Sequence, residues 1–89
     1  MAISLMKSHV ENYGEWKKVF DANAGLRKSY GAISEEVYHG IDDPNAVTII
    51  VKWDSLEKAK KFAESSELKA AQQKSGVQGL PEVSFLTEA

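Results

Sequence analysis

The sequence contains no cysteine. That excludes disulfide bridges and thiolate metal sites. Its two histidines, His9 and His39, stand apart and do not make a structural zinc site, so no metal is expected. No apolar run approaches the ~20 residues of a membrane span. The stretch from Met1 to Lys7 lacks a basic segment followed by a long apolar one, so no signal peptide is expected. Charge of either sign is scarce in excess. Eleven Lys and Arg face thirteen Asp and Glu, a net of −2, too weak a field to draw the chain to nucleic acid or an anionic membrane. The glycines form no phosphate-binding loop. These absences point to a cytoplasmic protein with no cofactor, no nucleic-acid partner and no membrane association.

With 89 residues the chain is expected to be one domain. A domain this small buries only ~60% of the surface its unfolded chain exposes. With disulfides and metal excluded, oligomerisation is the remaining support.

What is present is organised around Ala46 to Trp53, the longest run of β-branched and apolar residues. Val47, Ile49, Val51 and Trp53 share one face of an expected strand, and Thr48, Ile50 and Lys52 the other. Neither face is polar enough to be fully solvated, so the strand is expected to be central and covered on both sides. Ile3 to Val10 alternates like a first strand, with Ile3, Leu5, Lys7 and His9 on one side and Ser4, Met6 and Ser8 on the other. Asn12 caps a helix, with Glu15 as the reciprocal partner. The helix is predicted to run to Tyr30, with Gly31 in the left-handed position after it. Its apolar stripe is Trp16, Val19, Phe20, Leu26 and Tyr30, entered at Tyr13. Asn23 and Arg27 lie on or beside the stripe. Ala32 to Ile41 forms a second strand, turned by Asp42 to Asn45 into the central one. Placing Glu36 opposite Lys52 leaves a loop from Asp42 to Ala46. Asp54 and Ser55 start another helix with Leu56, Ala59, Phe62 and Ala63 inward. Ser65 and Ser66 interrupt it and cap a third helix, Glu67 to Lys74. Gly79, Leu80 and Pro81 feed a last strand, Glu82 to Thr87, with Val83 and Phe85 on one face.

The order predicts an α+β, ferredoxin-like β-α-β-β-α-α-β fold: a four-stranded antiparallel sheet with helices on one face. The first and third strands are read as a parallel central pair. The helices are expected over Val47, Ile49, Val51 and Trp53. The open face is expected to show Ser4, Met6, Ser8, Ser34, Glu36, Tyr38, Thr48, Ile50, Lys52, Ser84 and Leu86. Small hydroxyls mixed with large apolar groups suit packing against another sheet, hence a homodimer through that face.

A parallel pair would bring His9 and Trp53 to one sheet edge, on the helix side. Tyr13 and Trp16 would return over it, with Asn23 about two turns further on. Together with Phe20 and Phe62 these residues form a candidate ligand-binding cavity, mostly aromatic with a few polar groups. His9 is its candidate catalytic group, the one side chain there with an ordinary pKa near neutrality. The plainer readings are core packing for Trp16, Phe20, Trp53 and Phe62, a backbone tie for Asn23, and an ion pair for Arg27. His39 reads as surface at the opposite edge. Ser8 and His9 point to opposite faces, so no Ser-His-Asp arrangement is suggested. RNA-recognition modules share the topology but expose aromatics where this chain has Thr48, Ile50 and Lys52.

Val10-Glu11-Asn12-Tyr13 with Trp16 and Phe20, then Leu26-Arg27 and Gly31, resembles the first half of a small bacterial family of dimeric α+β barrel proteins. That family belongs to the antibiotic-biosynthesis-monooxygenase-like superfamily. Asp42-Asp43-Pro44-Asn45, Trp53-Asp54, Phe62-Ala63-Glu64-Ser65, Glu67-Leu68, Gly76-Val77 and Pro81-Glu82 continue the resemblance over nearly the whole chain. Asn23 stands where the family often has His, and Ser66 where it often has Pro. The resemblance implies a homodimer whose two sheets face each other. Relatives include cofactor-independent monooxygenases acting on polycyclic phenols, haem-degrading enzymes and polyketide-cyclase-like proteins. Haem is disfavoured here because Ser55 to Lys74 offers no His to iron. Two functions follow as expectations: a cofactor-independent monooxygenase or cyclase-like enzyme on an aromatic or phenolic substrate, or a non-catalytic dimeric ligand-binding or stress-associated module.

Overall fold

The computed structural model describes residues 1–88. The order is β1 (Ala2–Val10), α1 (Tyr13–Ala22), α2 (Ala24–Ser29), β2 (Ala32–His39), β3 (Ala46–Trp53), α3 (Leu56–Glu64), α4 (Ser66–Lys74) and β4 (Val77–Thr87). The sheet runs β2-β3-β1-β4, and every neighbouring pair is antiparallel. This is the expected ferredoxin-like α+β fold.

One expectation is overturned: β1 and β3 are antiparallel. The crossover from β1 makes β2 run the same way as β1. The hairpin then reverses the chain, and β3 inserts between them against both. Ala2 therefore lies opposite Trp53, and His9 opposite Ala46. His9 and Trp53 sit at opposite edges of the sheet, while His39, paired with Val47, sits at the same edge as His9.

The faces of β1 are also reversed from the expectation. Ser4 pairs with Val51, Met6 with Ile49 and Ser8 with Val47, and paired residues share a face. Ser4, Met6 and Ser8 thus lie under the helices with buried Ala2 and Val10. Ile3, Leu5, Lys7 and His9 take the open face. On β2, alternation alone would set Ile33, Val37 and Ile41 on one face; Val37 does face the helices, but Ile33 and Ile41 are exposed. The strand is irregular between Ala32 and Ser34, which shifts the inward set from Ile33 to Ala32, Glu35, Val37 and His39. The hairpin keeps the expected parity but is shifted by two residues. Glu36 lies opposite Ile50, and Lys52 opposite Ser34. Gly40 N–H closes the loop on the Ala46 carbonyl at 2.9 Å, and Lys52 instead reaches Glu88 at 3.2 Å.

The helix starts follow their caps. Asn12, Ser55 and Ser65 accept from the backbone N–H groups of Glu15, Lys58 and Leu68. The single long first helix is in fact two, broken at Asn23. The Asn23 side-chain amide donates to the Val19 carbonyl at 2.9 Å, and Arg27 Nη1 takes the Phe20 carbonyl at 2.8 Å. Side chains that claim helix carbonyls compete with the backbone ladder, and Gly25 adds little to hold it. β4 begins earlier than expected, at Val77. Gly79, at φ +67°, lies in an irregularity between the pairs of Lys7 and His9. Pro81, which has no N–H to donate, falls in the same irregularity.

The core is Val10, Trp16, Val47, Ile49, Val51, Trp53, Ala59 and Phe62 between sheet and helices. On the other side, half-buried Ile3, Leu5 and Ile50 and exposed Leu86 form an apolar centre.

Candidate functional site

Between the helices and the sheet lies a cavity of about 70 Å³. Its floor is Ser4, Met6 and Ser8 of β1 with Ile49, Val51 and Trp53 of β3. One wall is Trp16, Phe20, Asn23 and Leu26 from α1, α2 and the turn between them. The other is Phe62, Leu68, Ala71 and Gln72 from α3 and α4. Drug-sized ligands occupy pockets of roughly 300–1,000 Å³, so a multi-ring ligand requires this space to widen. α4 is the wall suited to yield, since none of its residues is buried and lightly packed segments open at low free energy.

The aromatic rings are mutually braced. Trp16 and Phe20 stack at 5.0 Å between centroids, Trp53 meets Phe62 at 5.2 Å, and Tyr30 meets Phe62 edge-on at 5.4 Å. Trp53 is 1% exposed and its indole N–H donates to Ser4 Oγ at 2.9 Å. Among the described residues Arg27 is the only ionisable side chain in the lining, and it is already engaged. It pairs with Glu35, donates to the Phe20 carbonyl and lies 3.6 Å over the Phe20 ring. Arg27 is therefore the ion-paired residue its position suggested.

Of the residues proposed from sequence, Trp16, Phe20, Asn23, Trp53 and Phe62 all line this one cavity. Tyr13 and His9 do not. Tyr13 stacks on His39 at 4.2 Å, at the sheet edge. His9 lies at that edge on the open face, half-exposed, and is not beside Trp53. Its Nε2 bonds Asp43 Oδ2 at 2.8 Å and its Nδ1 bonds Gln78 Oε1 at 2.9 Å. The bonds from Gln78 and then Asp43 hold the imidazole above its ordinary 6.5. The bond from His9, helped by the Asn45 backbone, holds Asp43 below the usual carboxylate range. This cluster bolts the β2–β3 loop to the ends of β1 and β4. Asn45 Oδ1 extends the bolt by accepting from the Tyr13 N–H at 3.0 Å, at the start of α1.

The sequence reading missed Ser4, Met6, Ser8 and Gln72. The first three were assigned to the wrong face with the rest of β1. Gln72 was legible: Leu68, Ala71 and Gln72 fall at i, i+3 and i+4, one stripe of a helix.

The antibiotic biosynthesis monooxygenase family model matches residues 2–74. The chain belongs to this family. Among curated proteins none matches it. Solved structures share its fold. An antibiotic biosynthesis monooxygenase family namesake from Bordetella bronchiseptica is 13% identical with a TM-score of 0.83, over 99% of this chain and 96% of that one. SnoaB from Streptomyces nogalater, a cofactor-independent oxygenase, is 13% identical with a TM-score of 0.80, over 99% and 92%. The ActVA-Orf6 monooxygenase of Streptomyces coelicolor, solved with nanaomycin D, is 21% identical with a TM-score of 0.70, over 99% and 87%. At these identities the family member and its structural neighbours are alike in fold.

Proposed function

We propose that this family member is a cofactor-independent monooxygenase acting on a small aromatic or phenolic substrate held between the helices and the sheet. The observation that carries the reading is the single cavity shared by Trp16, Phe20, Asn23, Trp53 and Phe62. Flat aromatic walls with few polar groups suit a planar ring system. The neighbours described as an oxygenase and as a nanaomycin D complex support the same class.

Without a cofactor, the electrons that reduce O₂ come from the substrate. A ring methylene beside a phenol or enol loses a proton, the carbanion reacts with O₂, the carbon becomes a carbonyl and one water leaves. The balance R₂CH₂ + O₂ → R₂C=O + H₂O needs no external reductant. The protein excludes bulk water and orients the ring. Among the described residues the lining holds no carboxylate or imidazole to act as a base, so the proton passes to a water admitted with the substrate rather than to bulk solvent, and the rate follows the substrate's own acidity. His9, outside the lining, serves instead to fasten the β2–β3 loop through Asp43 and Gln78.

A second copy of the chain is proposed to cover the open face, where Ile3, Leu5, Ile50 and Leu86 leave an apolar centre. The absence of a base from the lining also favours one alternative, a dimeric module that binds such a ligand without turning it over. Oxygen uptake with 1,8-dihydroxyanthrone, compared between wild type and the cavity-filling variant Ala71→Trp, checked to be folded by circular dichroism, after subtracting autoxidation, separates the two. Uptake that is catalytic, and lost in the variant, supports the enzyme. Saturable binding with no uptake supports the module.

A further inference from the structure

Most polar side chains facing the cavity have a partner that limits what they can offer a ligand; among the described residues the exceptions are Ser8, a lone hydroxyl on the floor, and Gln72, whose carboxamide offers a donor and an acceptor on separate atoms. Ser4 Oγ accepts from the Trp53 indole, the Asn23 amide N–H is taken by the Val19 carbonyl, which fixes that side chain against its own helix, and the Ser75 hydroxyl donates to the Gln72 carbonyl. Arg27 is taken by Glu35 and Phe20. Gln72 differs. Among the described residues, the partner of its side-chain amide is the Met6 thioether, 3.9 Å from Nε2, a weak acceptor. The Gln72 side-chain oxygen has no protein partner among them. The residue is half-buried in the lining. Its amide joins a donor and an acceptor on one planar group. The floor beneath it, Met6 and Ile49, is apolar.

We propose that Gln72 anchors the polar end of the ligand, and that this ligand is uncharged with a hydroxyl or enol oxygen on the ring edge facing α4. This rests on the cavity being the binding site. The hydroxyl donates to Gln72 Oε1 and accepts from Nε2, displacing the thioether contact at little cost. A carboxylate is refused. Among the described residues no free cation faces the cavity, and Arg27 could serve one only by leaving Glu35 unpaired. Once the substrate loses its proton, the charge spreads to that oxygen, where the Gln72 N–H remains as the donor that stabilises it.

Three probes and three forms of the full chain test this by NMR titration of the backbone amides. The probes are 1-naphthol, naphthalene and 1-naphthoate. The forms are wild type, Gln72→Met, and a filled-cavity variant, Ala71→Trp, with Ala63→Phe in its place if that one fails to fold. Wild type should bind 1-naphthol about tenfold more tightly than naphthalene, the worth of one good hydrogen-bonding site, and leave 1-naphthoate unbound. In Gln72→Met the preference should fall to about onefold while naphthalene still binds. The filled cavity should bind neither. If Gln72→Met keeps the full preference while the filled cavity abolishes binding, the site stands and the anchor is wrong. If the filled cavity binds 1-naphthol as wild type does, or wild type binds no probe, the cavity is not the site and the anchor falls with it. Tight binding of 1-naphthoate overturns the uncharged ligand.

Discussion

Replacing Glu35 with Ala strands a buried cation. Arg27 is 5% exposed, and it is held by the Phe20 carbonyl and ring across the break between α1 and α2 and by Glu35 on β2. Removing one partner of a fully buried pair costs about 3–5 kcal/mol. The Glu35 side chain is 26% exposed, so water can reach the vacated position and reduce the loss to about 2–3 kcal/mol. For a domain of this length that is a fall in Tm of roughly 10–20 °C. Arg27→Met removes the charge with its pair but leaves the Phe20 carbonyl without that donor, and should cost only about 1–2 kcal/mol. The double variant Arg27→Met/Glu35→Leu should recover more than half of the Glu35→Ala loss, because apolar replacement of a buried pair is close to neutral. Thermal unfolding by circular dichroism at one fixed protein concentration reads all three, since Tm shifts with concentration if the chain associates. Glu35→Ala within about 0.5 kcal/mol of wild type would refute the reasoning. So would a double variant as unstable as the two single losses together.

Other expectations follow from the same geometry. Sedimentation at micromolar concentration should give about twice 9.8 kDa, and Leu5→Lys, at the centre of the open face, should give the monomer; a wild-type monomer would remove the sheet-to-sheet dimer. The His9–Asp43 bond should make stability depend on pH. His9 has a raised folded pKa, so its contribution is full below 6.5 and is lost as pH rises through the folded value. Asp43 has a lowered one, so its contribution is present above 3.8 and is lost as pH falls through the folded value. The bolt is whole between those limits, and Asp43→Asn should lower Tm there and flatten the profile above it; an unchanged profile in the variant would show that another group titrates. Gly31→Ala should destabilise by about 1–2 kcal/mol in denaturant unfolding, because Gly31 has φ +102° and a Cβ there meets Lys58 Cδ at 2.7 Å. A neutral result would mean the turn after α2 relaxes freely.

The elements and their order were legible because their signals are local. Asn12, Ser55 and Ser65 cap helices, Gly31 and Gly76 end them with positive φ, and Val47, Ile49, Val51 and Trp53 alternate into the core. What failed was relative direction and facing. Ile3 and Leu5 are the larger aliphatic residues of β1, and Ser4, Met6 and Ser8 the smaller or more polar, so the pattern suggested the wrong inward side. Alternation says which residues share a face, but it cannot choose between faces when both are to be covered. The error then moved His9. Read as parallel to β3, β1 carried His9 to Trp53; antiparallel, it carries His9 to Asp43 and Gln78. The aromatic part of the site survived because Trp16, Phe20, Trp53 and Phe62 are set by helix stripes and by β3, none of which depends on the direction of β1.

A crystal structure of the protein grown with 1,8-dihydroxyanthrone under anaerobic conditions tests the central claim most directly. The ring system should lie between Phe20, Trp53 and Phe62, with α4 displaced outward to admit it. Ligand density at the His9–His39 edge, or on the open face of the sheet with the cavity still closed, would contradict it.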